Sequence, residues 1–325
     1  MSTFIIAEAG ANHDRDFKQA IALIDIAKQA GADACKFQTY SSETLYSKNV
    51  PDFAGYKNIN QLIKDIELPR EWQRDLKQYC DEIGIEFMST PFDEKAVDEL
   101  VGLGVKRLKI AGFESTDFRF VEMVASAKLP LIISLGIGFR YNYLDKLLNI
   151  TSKYTDDVTL LHCNNAYPTP MADSNLKTIT ALVADGRFKV GLSDHTLTSL
   201  TPALAVMLGA KVVEKHFTLD KRLPGPDHPF ALEPKELEQM VWNIRQAEMT
   251  LKYKNVEYSK SEESFTKARR SVIAKCDIKK GELFTLNNIS TKRPFLEGCI
   301  SATDFDSILG TVAVEDYCYD DFIKP

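Results

Sequence analysis

The chain has 325 residues, 44% of them hydrophobic and 26% charged, with 40 basic against 46 acidic side chains and a net charge of −6. That is the composition of a globular protein with room for one large domain and a small one. It argues against a nucleic-acid partner, because no basic block stands out, and against a membrane span, because no run approaches the ~18 apolar residues one needs. Six cysteines, Cys35, Cys80, Cys163, Cys276, Cys299 and Cys318, form no CxxC pair and are expected as free thiols of a cytoplasmic protein. The opening MSTFIIAEAG lacks a basic leader and reads as a first strand rather than a signal peptide.

A strand, polar turn, helix and strand recur along the chain. A strand is predicted over 4–9, ending in Glu8-Ala9-Gly10-Ala11-Asn12-His13, then a helix over 16–30 with Ala20, Leu23, Ile24 and Ala27 on one face. A second strand over 32–37 carries Lys36 and runs into Gln38. The segment 41–60 is expected as a long loop, of the kind that is functional or mobile. A helical segment over 70–83 leads to a strand over 85–89 that ends at Ser89, and strands follow over 107–110 with Lys109, 131–134 with Ser134, and 158–163 running into Asn165 and Tyr167. Between Phe188 and His228, two β-branched runs each end in a histidine, His195 and His216, with apolar residues at helical spacing between them. Such a strand–helix–strand unit makes parallel strands, so both imidazoles lie on one edge of the sheet. An amphipathic helix over 233–251 closes the series.

Eight strand–helix units in the first 252 residues predict an α/β fold, a (β/α)8 TIM barrel over 1–252. A polar linker is expected over 253–267, and a small, mostly β domain over 268–325, opening with a strand at 268–275. Such barrels hold their chemistry at the carboxyl ends of the strands. Those ends carry Glu8, Lys36, Gln38, Ser89, Lys109, Ser134, Asn165, Tyr167, His195, Glu214 and His216. Lysines inside short apolar strands need a reason; snorkelling or structural ion pairs are the simplest one. The functional alternative is a cationic pocket in which Lys36 and Lys109, with Ser89, Ser134 and Asn165, bind a small molecule bearing phosphate and carboxylate. His195 and His216 either cap buried strands or hold a divalent metal, which would polarise a carbonyl. Glu8 and Glu214 are candidate bases or outer orienting groups. An anion clamp beside a carbonyl-activating metal points to carbon–carbon bond formation from a phosphorylated donor. His13 reads as a solvated loop residue or a substrate ligand, His228 as a loop residue with substrate contact as the alternative, and His162 as a satisfied core histidine.

These residues carry a resemblance. The segments IIAEAGANHD, GADACKFQTY, STPFD, LKIAGFE, LLHCNNAYPTP, GLSDHT, EKHFTLD and GPDH, then SVIAKCDIKKGE and KRP, occur in order over nearly the whole chain. With them the chain resembles the N-acetylneuraminate (sialic acid) synthase family, and its tail resembles that family's antifreeze-like (SAF) domain. The resemblance implies that phosphoenolpyruvate condenses with the open-chain aldehyde of an N-acetylated amino sugar. Water supplies an oxygen, and a nine-carbon 2-keto sugar acid and inorganic phosphate are formed. It implies a divalent metal on His195 and His216, manganese with magnesium or cobalt as alternatives. It further implies donor contacts from Lys36, Lys109, Ser134, Asn165 and Tyr167, and acidic groups Glu8 and Asp227 near sugar and metal. Gln38, Ser89 and Glu114 join the substrate-binding set. Arg293, in the KRP segment, is expected to reach from one subunit's tail into the other's barrel in a domain-swapped homodimer.

The chain departs from the family pattern at Gly112, where a serine is usual, and at Phe295, where glycine is common after Arg-Pro; the 41–60 segment also looks short. A legionaminic or pseudaminic acid synthase, taking a di-N-acetylated 6-deoxy hexose, fits the same features. Two other readings are a metal-dependent aldolase that uses pyruvate and a non-catalytic carbohydrate-binding scaffold. The scaffold would explain Gly112, but not two lysines and two histidines at the strand ends.

Overall fold

The strands are short and rich in Ile, Val and Leu, the pattern of parallel strands covered on both faces. The computed structural model describes residues 2–52, 55, 57–252 and 258–325. The chain divides into two compact units, Met1–Lys252 and Tyr253–Pro325. In the first, eight strands form one parallel sheet: β1 (Phe4–Gly10), β2 (Ala34–Thr39), β3 (Glu86–Pro91), β4 (Leu108–Ile110), β5 (Leu131–Leu135), β6 (Val158–Cys163), β7 (Lys189–Asp194) and β8 (Val212–His216). Their order is β3-β2-β1-β8-β7-β6-β5-β4. β3 and β4 lie side by side at the seam, with no ladder between them among the described residues. The result is a TIM-type barrel with one unladdered seam.

Nine helices surround the sheet among the described residues: α1 (Phe17–Gln29), α2 (Ile59–Ile66), α3 (Gln73–Ile83), α4 (Glu94–Gly102), α5 (Phe118–Ala125), α6 (Leu144–Thr151), α7 (Lys177–Asp185), α8 (Leu200–Met207) and α9 (Pro234–Thr250). Several start on a side-chain cap. The carboxylate of Asp16 accepts from the Lys18 and Gln19 amides, and that of Asp93 accepts from the Ala96 amide; such caps satisfy backbone donors the helix cannot. Helix α2 begins inside the segment expected as a loop. Ile59 and Ile63 on α2 pack with Tyr40, Leu45, Val50 and Phe92 as a satellite core, so much of that segment is packed.

Two layers of apolar residues follow from the period-two alternation of strand side chains. Ile5, Ala7, Phe37, Ile110, Ile133 and Val213 face the helices. Ile6, Ala34, Met88, Ile132, Leu161 and Val212 face inward and fill the barrel. Two residues further along the same strands, on the same inward face, stand Glu8, Lys36, Thr90, Ser134, Cys163 and Glu214. The apolar plug therefore forms the floor of a polar layer at the carboxyl-end mouth.

On the outer face, Lys215 lies buried against Asp194. Its Nζ is 2.6 Å from Asp194 Oδ2 and donates to the Thr196 carbonyl at 2.6 Å. Asp194 also accepts from the Thr196 amide and hydroxyl.

The second unit pairs β9 (Ser271–Ala274) antiparallel with β10 (Ile289–Lys292). Val272, Ala274, Ile278, Phe284, Ile289, Ala313, Tyr317 and Ile323 form its core, and α10 (Phe305–Ile308) is a single short turn. Of the expected linker, 253–257 lie outside the described residues. Lys260–Ala268 forms 3-10 turns, capped by reciprocal Ser259 and Glu262 contacts.

Removing one member of a buried ion pair leaves an uncompensated charge, at a cost of about 3–5 kcal/mol. Asp194→Ala is expected to lower unfolding stability by that amount in a urea titration. A loss under about 1 kcal/mol, the size of an exposed pair, would mean that Lys215 is solvated or satisfied elsewhere.

Candidate active site

Lys36 and Lys109 are each only 2% exposed, and both point into the barrel mouth from neighbouring parts of the sheet. Burial of an ammonium is costly unless it is paired. Lys36 Nζ lies 2.8 Å from Glu8 Oε2 and 3.6 Å from Glu214 Oε2, and it donates to Thr90 Oγ1 at 2.9 Å. Lys109 Nζ lies 3.5 Å from Glu214 Oε1 and donates to Ser134 Oγ at 2.8 Å and to the Ile110 carbonyl at 3.0 Å. Glu214 thus sits between the two ammonium groups. Burial alone would raise its pKa, but Lys109 and Lys36 together outweigh burial and hold it below its ordinary value. Lys36 is held up by Glu214 and Glu8 against its own burial, whereas burial dominates at Lys109 and lowers it.

Glu8 behaves differently. Burial and the nearby Glu214 push its pKa up to about 7, against the pull of Lys36. Gln38 Nε2 donates to Glu8 Oε1 at 2.8 Å and fixes the carboxyl. The β1–β2 register slips between Glu8 and Gly10, a bulge of the sort that re-aims side chains at barrel rims. Gly10 has φ +52°, and a Cβ there would lie 2.8 Å from Asp227 Oδ2 and 3.1 Å from His216 Cε1. Only glycine leaves room for Asp227 to approach His216.

The histidines form the other side of the mouth. The His195 and His216 ring centroids are 5.6 Å apart. His195 Nδ1 is 2.6 Å from the Asn164 carbonyl, so it carries the proton and donates, leaving Nε2 as a lone pair. His216 Nδ1 is buried without a hydrogen-bond partner and stands 3.6 Å from Asp227 Oδ2. Burial lowers His195 to about 4 and His216 well below its ordinary value; both are neutral imidazoles. Burial raises the Asp227 carboxyl. Tyr167 packs 4.2 Å from the His195 ring and 5.2 Å from Phe230, which in turn lies 5.2 Å from His216.

Two neutral rings with an available nitrogen are the donor set a divalent transition metal takes. Among the described residues, no group of three His, Cys, Asp or Glu side chains comes together as a metal cage. His195 and His216 are the residues that could hold such an ion.

Of the residues singled out from the sequence, most converge on this mouth. Ser89 does not. Its register partner is Phe37, which faces the helices, and its hydroxyl bonds Thr39 Oγ1 at 2.7 Å on the outer side. The inward residue of that strand is Thr90, one position on, because the strand runs to Pro91 and alternation sends 88 and 90 inward. Thr90 and Ser193, which donates to Glu214 Oε1 at 3.2 Å, were missed. Ser193 was within reach of the same alternation, two residues before His195. Asn165 is tied at the rim, accepting from the Ile137 amide at 2.7 Å. Glu114, in the loop after β4, has an Oε2 that is buried without a partner and a pKa raised by burial.

At Gly112 a Cβ would come within 2.9 Å of Asn165 Nδ2 and 3.2 Å of the Gly136 Cα. In this chain Asn165 occupies the space that a side chain at 112 would need. Arg293 is exposed in the second unit, just after β10, and Phe295 lies under the Arg269 guanidinium, 4.7 Å from its ring centroid.

His13 is buried rather than solvated, and burial lowers it to about 4; His228 lies in a loop as expected and is also buried. His162 turns away from the mouth and bonds the Ser174 carbonyl at 2.8 Å. The Cys163 thiol is pushed up to about 11 by burial and is no nucleophile. All six cysteines are free thiols.

The sequence matches the NeuB family over residues 23–256 and the SAF domain over residues 269–316. It is 40% identical, over 96% of its length and 90% of the relative's, to N,N'-diacetyllegionaminic acid synthase of Legionella pneumophila. It is 38% identical to the enzyme of the same name from Campylobacter jejuni, over 99% of both chains. The crystal structure of N-acetylneuraminic acid (sialic acid) synthetase from Leptospira borgpetersenii in complex with citrate superposes with a TM-score of 0.75 at 34% identity, covering 82% of this chain and 90% of that one. With the family matched over most of the barrel and synthases aligned along nearly the whole length, this chain belongs to the NeuB family and carries a SAF domain at its C-terminal end.

Proposed function

We propose that this protein condenses phosphoenolpyruvate with a di-N-acetylated 6-deoxy hexose and water, giving a legionaminic-type nine-carbon 2-keto acid and inorganic phosphate. The observation that carries the proposal is the pair of buried ammonium groups at one barrel mouth, balanced by one firmly ionised carboxylate, Glu214, and by Glu8, which takes up a proton near neutrality. The mouth therefore has cationic capacity to spare for an anionic donor. Relatives near 40% identity are named for the diacetylated product and the sialic acid synthetase stands at 34%, which favours the diacetylated acceptor over a mono-N-acetylated one.

In this reading Lys36, Lys109 and Ser134 bind the donor's phosphate and carboxylate, and Asn165 and Tyr167 orient it at the rim. His195 and His216 would hold a divalent cation, manganese with magnesium or cobalt as alternatives, which supplies Lewis-acid polarisation of the acceptor aldehyde. C3 of the donor forms the new bond to the aldehyde carbon, water adds at C2, and the C2–O bond to phosphate breaks as the remaining C2 hydroxyl proton passes to the departing phosphate and the ketone forms. Glu8 delivers a proton to the new alkoxide and recovers one from the attacking water, a role suited to a carboxyl that titrates near neutral pH. Asp227, with Glu114 and Gln38 in support, faces the acceptor. We also propose that Arg293 serves the site of a second subunit in a domain-swapped homodimer. Free thiols throughout fit the reducing cytoplasm expected from the sequence.

Phosphate release should require donor, acceptor and divalent cation together. Dialysis against EDTA should abolish it and manganese should restore it, with a diacetylated 6-deoxy hexose outperforming N-acetylmannosamine. Turnover that survives EDTA would remove the metal role of the two histidines, and consumption of pyruvate in place of phosphoenolpyruvate would indicate an aldolase.

An anion brought beside Glu8 raises its pKa further, so donor binding slightly above pH 7 should draw a proton from solution. Titration calorimetry at pH 7.5 in buffers of different ionisation enthalpy should show that uptake, and Glu8→Gln should lose it. Equal heats across buffers for the unaltered protein would rule out a titrating Glu8.

Arg293→Ala should raise the acceptor KM roughly 10- to 150-fold, the cost of one charge-assisted contact. Mixed dimers of Arg293→Ala with Lys109→Met should recover about one working site per dimer if the arginine acts across subunits. No recovery would place it in its own subunit's site, and an unchanged acceptor KM in Arg293→Ala would place it outside any site.

A further inference from the structure

Asp14 and His228 have no part in the chemistry proposed above, yet they form a buried polar contact beside it. His228 is completely buried. Its Nε2 lies 3.0 and 3.1 Å from the two carboxylate oxygens of Asp14, and its Nδ1 lies 2.6 Å from Thr218 Oγ1. Asp14 comes from the loop after β1, Thr218 from the chain just after β8, and His228 from the loop between β8 and α9. One ring therefore ties the loop after β1 to two points of the loop after β8.

The surroundings hold this contact tightly. Asp14 and Arg15 adopt φ of +48° and +54°, a conformation that non-glycine residues rarely keep unless neighbours over-determine it. Gln19 Nε2 donates to Asp14 Oδ2 at 2.7 Å. At Gly225 a Cβ would meet His228 Cδ2 at 2.7 Å and Asp14 Oδ1 at 3.1 Å, so the loop closes over the pair only because that position has no side chain.

The residues around His228 line the histidine side of the mouth. Asp227 Oδ2 stands 3.6 Å from His216 Nδ1 and accepts from the Ala11 amide at 3.4 Å. Phe230 packs 5.2 Å from the His216 ring. Pro226 and Pro229 flank Asp227-His228 and restrict the backbone. The anchor therefore lies between the two side chains it would place. Among the described residues no hydrogen bond or ion pair links this loop to Lys36, Lys109 or Ser134, which stand on strands; its contact with the donor rim is Phe230 against Tyr167, at 5.2 Å between ring centroids.

We propose that His228, gripped by Asp14 and Thr218, is a positioning residue: it latches the loop after β8 to the loop after β1 and thereby sets Asp227 and Phe230 against His216. The latch governs the acceptor side of the site and leaves the strand-borne donor contacts Lys36, Lys109 and Ser134 in place. The assignment of sides rests on the proposed synthase reading.

The test compares Asp14→Ala, Asp14→Asn and His228→Gln in the full chain. Asp14→Ala should raise the acceptor KM about tenfold, as for a lost charge-assisted contact, while the phosphoenolpyruvate Kd from calorimetry stays within about twofold. Asp14→Asn, which keeps an acceptor for the ring N–H, should recover most of the loss. The Asp14→Ala/His228→Gln double variant should be no worse than the poorer single, because partners in one contact are not additive. Equal losses on both substrates, an unchanged acceptor KM, or additive singles would overturn the latch. Should Asp14→Ala not fold, Asp14→Asn and His228→Gln carry the same comparison.

Should the unaltered protein bind no phosphoenolpyruvate, the synthase reading fails and the latch is judged by amide hydrogen exchange. Faster exchange over 223–232 in the variants, with 271–292 unchanged, upholds it. Unchanged exchange over 223–232 overturns it.

Discussion

The structure depends on keeping two ammonium groups inside a barrel. Lys36 and Lys109 stand directly above an apolar plug of Ile6, Ala34, Met88, Ile132, Leu161 and Val212, where an unpaired charge would be prohibitive. Glu214 answers both at 3.6 and 3.5 Å, and Glu8 answers Lys36 at 2.8 Å. The contrast with the outer face is instructive. Lys215 and Asp194 meet at 2.6 Å, and Thr196 completes their hydrogen bonds, a closed arrangement that holds two strands together. In the lumen the ion contacts to Glu214 are longer than hydrogen bonds, and Glu214 Oε2 and His216 Nδ1 lack a hydrogen-bond partner. Buried polar groups left open in this way mark a place where a ligand completes the network.

The two sides of the mouth are built from different parts of the chain. Lys36, Lys109, Ser134 and Glu214 stand on strands, and their spacing is fixed by ladders that cannot slip without turning every side chain to the other face. Asp227, Phe230 and Tyr167 stand on loops. They take their positions from contacts with His195, His216 and one another, and from Asp14 through His228. In a barrel of this kind the loops can vary while the groups on the strands stay in place.

Much of the barrel was legible from local pattern. The eight strands, the long final helix and the small β tail all appear where alternation and turn residues place them, and the lysines and histidines at the strand ends stand at the mouth as expected. The failures were also local in kind. Ending the third strand at Ser89 put the wrong residue into the lumen, since a shift of one position exchanges the inner and outer faces. Helix α2 was hidden in a polar stretch whose apolar face is buried against Tyr40, Leu45, Val50 and Phe92. His13 reads as solvated because nothing near it in sequence announces the cover that buries it.

The sequence by itself determined which residues share a face of each strand, because alternation is a property of neighbouring residues; at β3 the structure decided that Thr90, not Ser89, enters the barrel. The ordered motifs likewise identified the family without coordinates. Only the tertiary structure decided that Glu214 serves both lysines, that Glu8 is the carboxyl left near neutrality, that Asn165 fills the space beside Gly112, and that Asp14 meets His228 across 214 positions of sequence. Those outcomes depend on distances between strands and loops far apart in the chain, and burial and charge pairing act through those distances.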